Sequence, residues 1–145
     1  MSETSLLIQD IVDMSREGTA FYEEAAKSVE DKNLGKVFAQ LAKAKSELAD
    51  NLSSELKPRK GSRATGNGLD SLSETYAGAR GQMKKVSASC LTALEHSESL
   101  LQQTLNRIVF DRQSQFVLRV HAKKYVGLTE EFKSRMRQSL RKLPG

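Results

Sequence analysis

Residues 94–101 read LEHSESLL and set Glu95, His96 and Glu98 within four positions. Two carboxylates beside one of only two histidines are the side chains that a transition-metal site or an acid/base pair uses. Helical spacing separates them, because consecutive residues on a helix do not face one target. Glu98 falls on an apolar row with Leu91, Leu94, Leu101, Leu105 and Ile108. Glu95 falls to one side of that row, and His96 points to the surface.

Other chemistry-bearing residues are sparse. His121 borders an apolar face and lacks a partner in sequence that would make it a catalytic base. Cys90 is the only cysteine, so it forms no internal disulfide, and it reads as a small buried hydrophobe. Tyr22 and Tyr125 read as amphipathic packing residues. GSRATGNG has glycine spacing but no preceding strand and no Gly-Lys-Ser/Thr end, so it is not a phosphate loop. No Ser-His-Asp arrangement can be assembled.

The elements that hold these residues are helical throughout. Only Pro58 and Pro144 interrupt the chain. A first helix over about 4–30 carries Ile8, Ile11, Ser15, Gly18, Tyr22, Ala25 and Val29 at alternating three-four spacing, widened by Leu7, Met14 and Phe21. DKNLG breaks the chain, and a second helix over about 34–56 carries Leu34, Phe38, Leu41, Leu48 and Leu52. So short a break makes these two an antiparallel hairpin. KPRKGSRATGNG (57–68) is an exposed loop, and a short helix over about 69–82, weakened by Gly78 and Gly81, forms part of a crossover. A third long helix is predicted over about 83–109. A fourth, over about 113–142, is capped by Ser114 or Asp111, with Val117, Val120, Leu128, Phe132 and Met136 on its apolar face and His121 and Tyr125 at the border. Two hairpins joined by a long crossover are the topology of a ferritin-like four-helix bundle, all-α and a single domain over 1–145.

Composition agrees: 38% hydrophobic, 28% charged, no Trp, and no apolar run long enough to span a bilayer. MSETSLLIQD lacks the basic and apolar regions of a secretory signal. Together with the lone cysteine this predicts a cytoplasmic protein. The net charge of +5 is unevenly spread. Residues 1–31 hold eight acids and two bases, whereas residues 101–145 hold ten bases and three acids. The simplest reading is an acidic first helix lying beside basic ones. Nucleic acid is a weaker reading.

LIQDIVDMSREGTAFYEEAAKSVEDKNLGKVFAQLAKAKSELADNLSSEL resembles the first hairpin of a bacterial family of uncharacterised ferritin-like four-helix proteins that carry a domain-of-unknown-function label. The resemblance rests on Gly18, the aromatic before EEAA, the break from Asp31 to Leu34, the turn at Phe38, the L-x-x-E-L end of the second helix, and the span from Cys90 to Glu98. It implies a ferritin-like bundle and no defined activity.

Dinuclear ferritin-like sites need a carboxylate from each of two helices and Glu-x-x-His from each of the other two. This chain has no Glu-x-x-His. Lys45 and Leu48 stand where the second helix would place a ligand Glu and His, and Leu118 stands three before His121. A lysine repels metal and a leucine cannot ligate it. In one reading Lys45 replaces the metal and pairs with Glu98 within about 6 Å across the core, with Tyr22 or His121 as further partners. In the other, helix 2 is rotated slightly, Ala44 takes the seam, Lys45 lies in water and Glu98 sits at the rim.

The sequence therefore predicts a non-enzymatic structural or interaction protein without a cofactor, with a protein partner or a second copy as its companion. The alternative is a metal-binding oxidoreductase or iron-handling protein with Glu17, Glu23 or Glu24, Glu47, Glu95, Glu98 and His121 as improvised ligands. A third reading is an adaptor for nucleic acid or anionic surfaces through Lys57, Arg59, Lys60, Arg63, Arg135, Arg141 and Lys142. Cations near a helix C-terminus are also favoured by the helix dipole alone.

Overall fold

A computed structural model describes residues 3–54, 70–111 and 114–142. Five α-helices account for most of them: α1 (Glu3–Ser28), α2 (Lys32–Ser53), α3 (Asp70–Ala79), α4 (Ala88–Val109) and α5 (Phe116–Leu140). A single 3-10 turn, Arg80–Gln82, follows α3. The described residues contain no strand.

Local chemistry sets the breaks. Asp31 lies in the turn of the first hairpin and starts α2, because its carboxylate accepts from the N–H groups of Asn33 (2.8 Å) and Leu34 (3.1 Å). Ser87 does the same for α4 by accepting from the N–H of Cys90 at 3.1 Å. That cap explains why α4 begins at Ala88 and not near residue 83. The segment before it is held separately, by Glu30 N–H donating to the carbonyl of Lys84 at 3.0 Å. Ser114 and Asp111 do not cap α5. Ser114 Oγ donates instead to Asp111 Oδ2 at 3.2 Å, and α5 starts at Phe116.

The expected rows of α1 and α2 are buried, from Ile8 to Ala25 and from Leu34 to Leu52. α1 packs along α2, α4 along α5, and α2 against α5. On the remaining side α1 and α4 scarcely touch. The short helix α3 packs against both, with Leu72 and Tyr76 fully buried and Ala79 nearly so. It is therefore part of the core and more than a connection.

The face of α5 departs from expectation. Val117 and Val120 are 44% and 47% exposed, while Leu118, Ala122, Tyr125, Thr129, Phe132 and Met136 form the buried row. Phe132 and Met136 are common to both rows. The helix is turned so that Tyr125 sits in the core and not at its border, which costs the two valines their cover. The acidic first helix lies beside one basic neighbour, α2, but not beside the basic last helix, since α5 packs on α4 and α2. The α1–α2 ion pair runs in the opposite sense to the overall charge, from Arg16 on α1 to Asp50 on α2 at 3.3 Å.

A sealed polar cluster as the candidate functional site

Five residues from four helices meet in the middle of the molecule. Gly18 and Tyr22 come from α1, Lys45 from α2, Tyr76 from α3 and Glu98 from α4. Lys45 and Glu98 have no exposed side-chain surface, and their Nζ and Oε1 are 2.5 Å apart. The other carboxylate oxygen, Oε2, accepts from the hydroxyls of Tyr22 (3.0 Å) and Tyr76 (3.3 Å). From α5, the ring of Tyr125 lies 5.5 Å from the Lys45 ammonium, and the Tyr22 ring lies 5.8 Å from it on another side.

The lysine reaches this position because α1 has no side chain at Gly18. A Cβ there would stand 2.7 Å from Lys45 Cδ and 2.9 Å from the Tyr76 hydroxyl. Aromatic rings close the rest of the shell. Phe21 stacks on Tyr76 at 4.8 Å, and Tyr22 meets Phe38 at 5.5 Å. Water is thereby kept from both charges. The carboxylate has one cation and two hydroxyl donors, so the cluster is neutral and each oxygen of Glu98 is hydrogen-bonded.

Burial and the neighbouring carboxylate make the hydroxyl protons hard to remove. Tyr22 and Tyr76 are both raised well above the ordinary tyrosine value, first by burial and then by Glu98. Tyr125 is raised by burial to about 12, against the opposing pull of Lys45. Burial alone would lower Lys45, but the Glu98 carboxylate leads the interactions that outweigh it, and the ammonium ends well above its ordinary value. All four groups bind their protons more tightly folded than unfolded. Their contribution to stability is therefore complete below about pH 10, and it is lost as pH rises through the folded-state values. Thermal midpoints measured across neutral and alkaline pH should stay level up to about pH 9 and fall beyond about pH 10. Tyrosinate absorbance should appear together with unfolding and not before it.

Residues singled out as possible metal ligands do not converge. Glu98 is taken by Lys45 and the tyrosines. Glu95 pairs with Arg137 of α5. Glu17 accepts from Ser73 at 2.7 Å, and Glu23, Glu24 and Glu47 are exposed. His121 is half-buried beside a small cleft lined also by Glu47 and Asn51, and none of the hydrogen bonds to Glu98 comes from it. No group of three His, Cys, Asp or Glu among the described residues is placed to hold an ion. His96 is exposed and Cys90 is buried.

Among the basic residues, Arg135 is held by Gln40 and by Glu131 (2.8 Å), while Arg141 and Lys142 are exposed at the end of α5. Lys57, Arg59, Lys60 and Arg63 lie outside the described residues. A second polar contact joins α4 to α5: Lys133 donates to Gln102 Oε1 at 3.1 Å, and Gln102 donates to Glu130 at 2.5 Å.

Tyr76 is the member of the cluster that sequence reasoning missed. Its signal was the spacing of Leu72, Tyr76 and Ala79, four then three apart, on a stretch whose glycines suggested only a bend. Neither Gly78 nor Gly81 has a neighbour that would obstruct a side chain, so those glycines say nothing about packing.

Fold and site together define an all-helical protein whose core holds a closed, charge-compensated polar cluster. The chain belongs to the family described as "Domain of unknown function (DUF2383)", whose model matches residues 3–110. That match contains Gly18, Tyr22, Lys45, Tyr76 and Glu98, and it ends where α4 ends, so α5 with Tyr125 and His121 lies beyond it. Comparisons with curated proteins and with solved structures found no match.

Proposed function

We propose that this chain is a ferritin-like bundle in which an internal ion pair stands where a dinuclear metal centre would sit, and that it serves as a structural or interaction protein, not as an enzyme. The observation that carries the reading is the Lys45–Glu98 contact of 2.5 Å inside a fully buried shell. A cationic lysine gives Glu98 the positive charge that metal ions would otherwise supply. The hydroxyls of Tyr22 and Tyr76 both donate to its second oxygen, so neither oxygen of Glu98 is left without a donor. With the reacting groups sealed and neutralised, the cluster offers substrate neither access nor a free base. A protein partner or a second copy then remains as the functional contact, in a cytoplasmic setting.

Elemental analysis of protein purified without chelator tests this reading. The expected result is iron and manganese well below one equivalent per chain. Stoichiometric metal that is lost on replacing Glu98 would overturn this reading in favour of a metal-binding protein.

A further inference from the structure

The large apolar side chains left exposed among the described residues gather at one place. They are Phe110 (78% exposed), Phe116 (76%), Val117 (44%) and Val120 (47%). Phe110 is the C-cap of α4 and Phe116 the first residue of α5, so the two rings flank the turn between these helices. Val117 and Val120 continue the same outward side of α5. The helix cannot rotate to hide them, because Leu118 and Tyr125 already occupy the core side. Large apolar side chains exposed on two adjoining helix ends are the kind of surface that marks a contact site.

The charges around it say which contact. Arg107 precedes Phe110 by one helical turn, and Lys123 and Lys124 follow Val120 by one turn; all three are exposed. Arg119 is held at the end of α4, its Nε donating to the carbonyl of Val109 at 3.0 Å. Asp111, bonded to Ser114, is the one acid on these described stretches, 107–111 and 114–124. Two copies meeting through this surface would bring like charges together. An anionic bilayer satisfies both halves: its interface takes aromatic and aliphatic side chains at shallow depth, and its headgroups take the cations.

We propose that the C-terminal end of α4 and the first turns of α5 dock on anionic phospholipid surfaces, with Phe110 and Phe116 entering the interface beside Val117 and Val120 while Arg107, Lys123 and Lys124 meet the headgroup phosphates. The contact is peripheral, since none of the described helices is long and apolar enough to cross a membrane. It gives the interaction role proposed above a lipid surface as partner, in addition to a protein or a second copy met elsewhere on the molecule, and it does not depend on how the core treats metal.

The test is co-sedimentation of the full chain with vesicles of mixed phosphatidylglycerol and phosphatidylcholine, and with vesicles of phosphatidylcholine alone. Binding to the anionic vesicles is expected, weaker by roughly tenfold or more on neutral ones and reduced by added salt. Phe110→Ser/Phe116→Ser and, separately, Lys123→Glu/Lys124→Glu should each reduce it by a similar factor, with the helical circular dichroism unchanged. Should the phenylalanine variant fail to fold, the lysine variant decides alone. The proposal is overturned by no sedimentation with anionic vesicles, or by binding that a folded variant retains in full. A concentration-dependent dimer abolished by the phenylalanine variant, or salt-sensitive binding to duplex DNA in place of vesicles, would overturn it too. Stoichiometric metal would remove the reading of the core and leave this one standing; absent vesicle binding would do the reverse.

Discussion

Lys45→Met is expected to destabilise the fold by about 3–5 kcal/mol, because it leaves the Glu98 carboxylate buried without its cation. At this chain length that is a fall in thermal midpoint on the order of 10 °C. Lys45→Met/Glu98→Leu removes both charges and should recover much of the loss. It does not recover all of it, because the hydroxyls of Tyr22 and Tyr76 then lose the acceptor they share. Each stranded hydroxyl costs about 1–3 kcal/mol. Adding Tyr22→Phe and Tyr76→Phe removes that cost, and the quadruple variant is expected to match or exceed the native midpoint. Unfolding followed by circular dichroism checks the order: single variant lowest, double intermediate, quadruple highest. A double variant destabilised by the sum of Lys45→Met and Glu98→Leu alone would mean that the two side chains are energetically independent, despite 2.5 Å between them.

This ordering separates the two parts a buried ion pair can play. Desolvation of two charges roughly cancels their attraction, so the pair adds little net stability over well-packed apolar residues. What it supplies is arrangement. Glu98 on α4 can be satisfied only where α1, α2 and α3 bring Tyr22, Lys45 and Tyr76 to it, and a slip of any of these helices strands a charge or a hydroxyl. An apolar quadruple variant that is stable but less uniquely packed, with broadened side-chain resonances, would fit that role.

Much of this was legible in the chain, because Lys45 and Glu98 each interrupt an otherwise apolar row, and a charge on a seam must find its opposite. Sequence could not decide between Lys45 and Ala44 for the seam of α2. The structure shows why the choice was unstable: both are buried, Ala44 at 7% and Lys45 at 0% exposure, on a face wide enough to hold the two. Tyr76 and the wedging of α3 were less visible, since a ten-residue helix carries too few turns for its row to indicate which neighbours it meets. The phase of α5 was misread for a different reason. Val117 and Val120 are the more hydrophobic residues, but the buried row contains Tyr125 and Thr129, polar residues that fit a core already holding a lysine. Hydrophobic pattern ranks residues by their dislike of water and cannot see a cation that favours a tyrosine ring.

Gly18→Ala and Gly78→Ala make the same chemical change on two helices and are expected to differ in sign. Alanine is the better helix former by about 0.5–1 kcal/mol, which is the gain anticipated at Gly78, where a Cβ meets nothing within 4 Å. At Gly18 the added Cβ would lie 2.7 Å from Lys45 Cδ and 2.9 Å from the Tyr76 hydroxyl, closer than non-bonded atoms approach. Both neighbours are fixed by their bonds to Glu98, so neither can retreat without weakening the cluster. Overpacking of that kind costs about 1–3 kcal/mol, which outweighs the propensity gain and leaves Gly18→Ala less stable than the native chain. Tyr76→Phe added to Gly18→Ala removes one of the two close contacts, so the pair should cost less than the sum of the single changes. Thermal unfolding of the four variants provides the cycle. If Gly18→Ala proved as stabilising as Gly78→Ala, then Lys45 would not be confined against α1, and the closed cluster described above would be too loose to exclude water from its ion pair.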